Sequence, residues 1–495
     1  MSSADIAAFQ TGRAALLGRV PAWLWAGIGV YALLLIDGNP LLNDGDTYWH
    51  IAVGQRILDH GALPRVDIYS FTREGEPWIS TSWLAQILFA KAYDWAGWSG
   101  PVVLAALASA VTFALLAFYL GSRIGEKCAL FASTAALALT APHLLARPHV
   151  LALPVMLAWV HGLLQASEAR KAPSFLWLPL MALWANLHGG FMFGLALALF
   201  LGGEAVLQAA PRLREARRWG IFGVLAVAAA LLTPNGLSGF VEPFRLMTVP
   251  ALQASFIEWR SPDFHTFQPL EICLLGLIAL EFTTGARLPL SRLLLLLALL
   301  HMALAHVRHA ELLGLAGPLI IAAPLGPQIA ARIRAAPISE PSRGAARLAA
   351  PAHRPAVLSA LALAAAISLV SLMRPVVRSD DPATPATALD AALRMGLKGP
   401  VFNSQGFGGY LTFRGVPTFI DGRVELYGND FFARYLKAQS GDEDALTALI
   451  KRYAITWTLL SPQQGAVRAF DRLPGWHRVY TDNLAVIHTR AGPEQ

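Results

Sequence analysis

Long apolar runs separated by short polar loops dominate the chain. The first lies at 21–37, and a mixed stretch rich in Asp, Gly, Pro and Trp follows at 38–100. Further apolar runs lie at 101–120, 128–146, 149–166, 174–187, 189–208, 219–233, 269–284, 291–306, 309–325 and 356–373. A bilayer-spanning helix needs about 20 apolar residues, so the shorter runs are expected to be tilted or broken. The pattern predicts a mostly α, polytopic membrane protein with about eleven transmembrane helices. Inside the mixed stretch Trp49, Val53 and Ile57 recur at four-residue spacing and Gly61 closes the run, which predicts a helix over 47–60. The run from Trp83 to Trp98 is short and interrupted by Lys91 and Asp94. It is expected to be an interfacial or re-entrant helix.

From 375 onward the pattern changes. Short apolar runs at 401–402, 410–413, 418–420, 457–460 and 485–488 alternate with helical stretches near 429–439 and 443–453. This predicts a C-terminal soluble α/β domain over 375–495. The expected organisation is a cytoplasmic arm at 1–20, a transmembrane domain at 21–373 with an external loop at 38–100 and a basic, Ala/Pro-rich cytoplasmic linker at 326–355, then a periplasmic α/β domain.

Composition supports the membrane reading: 55% of residues are hydrophobic and only 14% charged, against about a quarter charged in soluble proteins. The net charge of +7 sits in short loops between apolar runs, so it is topological charge rather than a nucleic-acid surface. Cys128 and Cys273 both fall in apolar runs without metal-site spacing. The first run lacks a small-residue cleavage site and is expected to be a retained anchor. With a cytoplasmic N-terminus, the cytoplasmic loops carry Arg123, Lys127, Arg170, Lys171, Arg212, Arg214, Arg217, Arg218, Arg287, Arg292 and the arginines of 332–354. That is the positive-inside asymmetry expected of a multi-span membrane protein.

In this topology the unusual polar residues share the external side. Asp44, Asp46 and His50 follow the first span, and Arg147 and His149 flank Pro148. Asn186 and His188 precede Gly189-Gly190, while Glu258, Arg260 and Asp263 lie in the 234–268 loop. His306, Arg308, His309 and Glu311 mark a late turn. Ionisable groups at membrane depth usually face a cavity or a partner, and the convergence predicts a shared polar cavity. Each residue also has a plainer role. Asp46 suits a helix N-cap, His149 and His188 suit satisfied interface histidines, and Glu258 with Arg260 suits a surface ion pair.

A carboxylate can act as general base on an acceptor hydroxyl. Asp44 and Asp46 together could hold a divalent cation such as Mg or Mn. Arg and His can bind a phosphate and stabilise its charge as it leaves. Base, cation and phosphate clamp in a membrane cavity suit transfer from a lipid-linked phosphosugar. The alternatives are a transporter of a lipid-linked or anionic substrate, and a non-catalytic protein of envelope-polysaccharide assembly. No P-loop, Gly-x-Ser-x-Gly, His-Glu-x-x-His or Rossmann fingerprint supports a competing chemistry.

Several short motifs carry a resemblance. They include Asp44-Gly-Asp46-Thr-Tyr-Trp-His50, Pro64-Arg-Val-Asp67-Ile-Tyr-Ser-Phe71, Ala146-Arg147-Pro148-His149 and Trp184-Ala-Asn186-Leu-His188-Gly189-Gly190. Ile257-Glu258-Trp259 and, near the C-terminus, Phe419-Ile420-Asp421-Gly422-Arg423 extend them. In these the chain resembles the GT-C superfamily of membrane glycosyltransferases, in a bacterial branch. The resemblance implies a first external loop carrying a catalytic acid and a polyprenyl-phosphate sugar donor bound among the spans. By motif position Asp46 matches the loop-one acid, with Asp44 as its helper or a metal ligand. The transferase reading places Asp46 and Asp44 in catalysis. Substrate binding falls to His50, Arg147, His149, Asn186, His188, Glu258, Arg260, Arg308 and His309. Arg147, His188 and Arg308 are the phosphate-side candidates. The acceptor would be a glycan, lipid or protein. Asp421-Gly422-Arg423 either helps bind acceptor or forms a tight loop with a local Asp–Arg pair.

Overall fold

The computed structural model describes residues 21–247, 257–335 and 354–490; the arm at 1–20 and residues 336–353 of the linker lie outside the described residues. Every expected apolar run coincides with a helix. These are α1 (Ala22–Ile36), α4 (Ser99–Ile124), α5 (Glu126–Thr140), α6 (Pro148–Glu168), α7 (Leu178–Leu187), α8 (Phe191–Gln208), α9 (Arg212–Ala230), α11 (Pro269–Thr284), α12 (Leu290–Ala305), α13 (Ala310–Ala335) and α14 (Arg354–Met373). Three further helices fall between them: α2 (Asp46–His60), α3 (Trp83–Ala96) and α10 (Gly236–Met247). Four segments are long and apolar enough to cross a membrane by length and composition: Ser99–Ile124, Pro148–Glu168, Phe191–Gln208 and Val307–Arg332.

Helix α4 is the hub of the bundle, packing against α1, α3, α5, α6 and α13. Its buried face mixes large residues, Val102, Phe113, Leu116 and Leu120, with the small Ala105, Ala106, Ser109, Ala110 and Thr112, which let backbones approach where lipid offers no hydrophobic drive. At the far end from α2, the buried Arg292 of α12 pairs with Glu204 of α8 at 3.0 Å. Arg292 is therefore a structural charge inside the bundle, although its sequence position suggests a loop cation.

Helices α2 and α3 form a hairpin-like pair within the long first loop. They touch at Gly54, where a Cβ would lie 2.1 Å from the Gln86 carbonyl oxygen. Helix α3 spans 14 residues, short of the length needed to cross a bilayer.

Several boundaries differ from the sequence pattern. The run at 128–146 is helical only to Thr140, and a 3-10 turn at Ala141–His143 leads into extended backbone at Arg147. Residues 326–335 of the expected linker continue helix α13 past Pro324 and Pro327. Asp46 does not cap α2. It is the first helical residue, and the Asp44 carboxylate accepts its N–H at 2.6 Å.

The C-terminal part contains helices α15 (Ala386–Arg394), α16 (Gln405–Phe413), α17 (Val424–Gln439), α18 (Glu443–Tyr453) and α19 (Gly465–Phe470). They surround a four-stranded sheet of order β1-β2-β4-β3. Strand β1 (Val401–Asn403) pairs parallel with β2 (Trp457–Leu459), and β4 (Val486–Arg490) pairs antiparallel with both β2 and β3 (Trp476–Thr481). The apolar run at 410–413 is the buried end of α16 rather than a strand. Thr418 makes only an isolated bridge to Ser70.

This part shares its core with the first loop. Trp49, Val53, Ile57 and Trp78 pack into one cluster with Phe402, Phe419, Ile420 and Phe431. Tyr48 packs edge-on to Tyr410 at 5.1 Å. The join is completed by Arg423, which is fully buried. Its guanidinium donates to Asp67 at 2.6 Å and to Asp421 at 2.6 Å, and lies 5.0 Å from the Tyr69 ring and 4.8 Å from the Trp78 ring. Thus Asp421 and Arg423 do pair locally, and the pair also captures a carboxylate from the first loop.

Removing one member of such a buried network leaves charge without a partner, at a cost of about 3–5 kcal/mol. Arg423→Met is therefore expected to lower the thermal unfolding temperature sharply in detergent. Arg414→Met, which breaks the more exposed pair with Asp390, is expected to cost less than about 1 kcal/mol.

Candidate active site

The backbone brings the two halves of the site together. A 3-10 turn at Asn39–Leu42 ends the linker from α1. The Ala146 N–H donates to the Leu41 carbonyl at 2.6 Å, and the Thr47 hydroxyl donates to the Ala146 carbonyl at 3.2 Å. This stitching holds Arg147 opposite Asp44 and Asp46. The Arg147 guanidinium donates to Asp46 Oδ2 at 2.6 Å, to Asp44 Oδ2 at 3.0 Å and to Glu258 Oε2 at 3.4 Å. Arg308 reaches the other Glu258 oxygen at 3.5 Å and lies 4.5 Å from the centre of the Trp259 ring. Glu258 therefore belongs to an ion-pair network with Arg147 and Arg308, not to a simple surface pair with Arg260.

Asp46 is held on both oxygens. Oδ2 faces Arg147, and Oδ1 accepts the Trp49 indole N–H at 2.9 Å. Gly422 closes over the same oxygen, and a Cβ there would lie 2.0 Å from it. Gly409 sits equally tightly on the Gly45 carbonyl, also at 2.0 Å for a Cβ. Burial pushes the Asp46 carboxyl up to about 7. Asp44 and Glu258 add to the rise, and Arg147 opposes it. Glu258 moves the other way: burial raises it, but Arg147 and Arg308 together hold it below the usual range. Arg147 stays charged because its three carboxylates outweigh the effect of burial.

The histidines contribute without charge. Burial, with Arg308 and Arg147 nearby, takes His188 down to about 3. Its Nδ1 accepts the Gly190 N–H at 3.0 Å, which leaves the ring proton on Nε2. Burial also lowers His50, whose Nδ1 accepts from the Gln86 amide at 3.1 Å. His149 donates to the His143 carbonyl at 2.7 Å and lies 3.7 Å from Glu311. His309 donates to the Met302 carbonyl at 3.3 Å.

A cavity of about 1240 Å³ has this cluster among its lining residues. Asp46, His50, Arg147, His149, His188, Glu258, Arg308 and His309 all line it. Three residues assigned to the site from sequence are not among those lining it: Asp44, which joins the cluster through Arg147 and the Asp46 N–H, and Asn186 and Arg260. Asn186 accepts the Trp83 indole N–H at 2.8 Å and donates to the Ala182 and Leu232 carbonyls, so its amide ties α7 to α3. Arg260 is exposed beside the turn. Glu311 and Gly422, which the sequence put in the late polar turn and in the candidate acceptor loop, also line the cavity, and His143, Trp259 and Glu425 line it without having been assigned to the site from sequence. His143 lies four residues before Arg147, and Glu311 follows Arg308 in the same turn. Glu425 carries no motif signal; it enters because Arg423 anchors the start of α17.

The cavity continues away from the cluster along α8 and α9. Met192, Leu195, Leu199 and Val206 line it from α8, with Trp219, Gly220 and Val224 from α9. At 1.5 Å per residue, the stretch from Met192 to Val206 corresponds to a groove about 20 Å long. It is charged at one end and apolar along its length.

Asp44 and Asp46 do not fit a divalent cation as they stand. Both turn Oδ2 to the Arg147 guanidinium, which lies where a bridging cation would be needed. Among the described residues no group of three or more His, Cys, Asp or Glu side chains is arranged to hold a metal.

No family model matches the chain, and no curated protein matches it in sequence. Solved structures do match. ArnT from Cupriavidus metallidurans bound to undecaprenyl phosphate is 14% identical with a TM-score of 0.50, over 95% of this chain and 98% of that one. The Archaeoglobus fulgidus oligosaccharyltransferase tethered with an acceptor peptide containing the NVT sequon is 10% identical with a TM-score of 0.51, over 88% of this chain and 69% of that one. The chain thus shares the fold of these two proteins.

The contact at Gly422 is testable without knowing a substrate. Gly422→Ala forces a methyl group against Asp46 and is expected to destabilise by about 1–3 kcal/mol. Gly406→Ala, where the added Cβ meets open space, is expected to be neutral or slightly stabilising. Thermal unfolding of the two purified variants checks the contrast.

Proposed function

We propose that the protein is a glycosyltransferase of the bacterial inner membrane. It moves a sugar from a polyprenyl-phosphate donor to a glycan, lipid or protein acceptor on the periplasmic face. The observation that carries this reading is the single cavity joining a carboxylate–arginine cluster to a long apolar groove. The polyprenyl chain lies along α8 and α9, and the phosphate meets Arg147 and Arg308. Likeness of fold to a protein bound to undecaprenyl phosphate supports the same reading. The basic loops argue for a cytoplasmic N-terminus with the cluster and the C-terminal domain outside, and the eleven apolar helices are taken as the membrane-crossing set.

Asp46 accepts the proton of the acceptor hydroxyl as its oxygen attacks the anomeric carbon of the sugar. The bond from that carbon to the phosphate oxygen breaks, and its electron pair leaves with the phosphate. Arg147 and Arg308 stabilise the growing charge, and the neutral His188 offers a hydrogen bond. Attack opposite the leaving group inverts the sugar. Asp44 orients Asp46 through the backbone N–H and holds Arg147.

Asp46→Asn is expected to lower transfer by about 10²–10⁴-fold, with unchanged elution and unfolding temperature. The measurement is movement of radiolabelled sugar from a polyprenyl-phosphate donor into membrane acceptors; full transfer by the folded variant would remove Asp46 from the mechanism. Because the Asp46 carboxyl titrates near 7, kcat/KM should rise as pH increases through that value and then level off. A rate that falls over the same interval would contradict the role of base.

A further inference from the structure

We propose that Glu258 is the place-holder for the donor's phosphate. Its carboxylate bridges Arg147 and Arg308 until the lipid-linked phosphodiester displaces it. The inference rests on the donor reading above.

Geometry carries it first. Glu258 presents one oxygen to each guanidinium, Oε2 to Arg147 at 3.4 Å and Oε1 to Arg308 at 3.5 Å. Two non-bridging phosphate oxygens would make the same pair of contacts. Both distances exceed the 2.7–2.9 Å typical of charge-assisted hydrogen bonds, whereas Asp46 meets Arg147 at 2.6 Å. Glu258 is therefore the loosest carboxylate of the three. Asp44 is tied by the Asp46 N–H and Asp46 by the Trp49 indole. Among the described residues Glu258 has no comparable third tie.

The surroundings keep the arginines in place if Glu258 moves. Arg308 remains against the Trp259 ring, and Trp259 is fixed through its carbonyl by the His306 Nδ1–H at 2.6 Å. Arg147 remains held by Asp44 and Asp46. Glu258 itself sits in a short 3-10 turn at Ile257–Trp259 rather than inside a helix.

Charge balance agrees. A carboxylate and a phosphodiester each carry one negative charge, so the exchange leaves the cluster's net charge unchanged. After transfer the phosphate becomes a monoester with a charge of about −1.5 to −2, which the arginine pair meets without Glu258 competing. In the absence of donor, the carboxylate screens two like charges from each other.

The test uses the full-length protein in detergent with undecaprenyl phosphate as probe and undecaprenol as control. Glu258→Gln is expected to bind undecaprenyl phosphate roughly tenfold more tightly than wild type, because a neutral amide no longer competes for the arginines. Glu258→Asp, too short to bridge both arginines, should shift affinity in the same direction and serves if the amide variant fails to fold. Weaker or unchanged binding by folded variants overturns the place-holder, since Glu258 would then only support the arginines. If wild type binds undecaprenyl phosphate no better than undecaprenol, and the variants do the same, the donor reading falls and takes this inference with it.

Discussion

One guanidinium shared by three carboxylates is the constraint on which the rest of the site depends. Without Arg147, Asp44, Asp46 and Glu258 would place three negative charges at the edge of a partly buried cavity. With it, residues from the first loop, the start of α6 and the turn before α11 are held within hydrogen-bonding range of each other. Arg147 can do this because it is not helical. Extended backbone at this residue, just ahead of Pro148, projects its side chain across the loop. The arrangement leaves one surplus negative charge, counting three carboxylates against Arg147 and Arg308. Burial is the main reason why Asp46 binds a proton more readily than an ordinary aspartate, and the neighbouring Asp44 and Glu258 add to it against Arg147.

The C-terminal part is a wall of the site rather than an appendage. Gly422 covers Asp46, Glu425 lines the cavity, and both are placed by Arg423 and its two aspartates. A buried ion triad is weak evidence of stability, but it fixes one register well. Here it fixes α17 against the first loop to within the tolerance of a missing Cβ.

Much of this was legible in the sequence. Charged residues are rare in an apolar chain, so Asp46, Arg147, Glu258 and Arg308 stood out, and the structure gathers them. The helices followed from run length. What could not be read was pairing. Asp46 and Arg147 are separated by 101 positions and Arg147 and Glu258 by 111, and nothing local couples them. Polarity alone also drew attention to Asn186, whose amide proves to be committed to Trp83 and two carbonyls. The opposite failure occurred at β3, an edge strand whose residues are mostly exposed and so leave no apolar run. Asp44 rather than Asp46 satisfies the first N–H of α2 because Arg147 and Trp49 already claim the Asp46 oxygens.

The join between Asp67 and Arg423 also sets a timetable. These residues lie 356 positions apart. At typical synthesis rates of about 5–20 residues per second, roughly 20–70 s separate the emergence of one from the other. Throughout that interval Asp67, Trp49, Val53 and Ile57 of the first loop lack their final partners. The membrane helices must therefore hold the loop's ends apart and correctly placed before the last quarter of the chain arrives. The cavity acquires this wall only once Gly422 and Glu425 have been made, so a nascent chain that stops short of them cannot present a finished site.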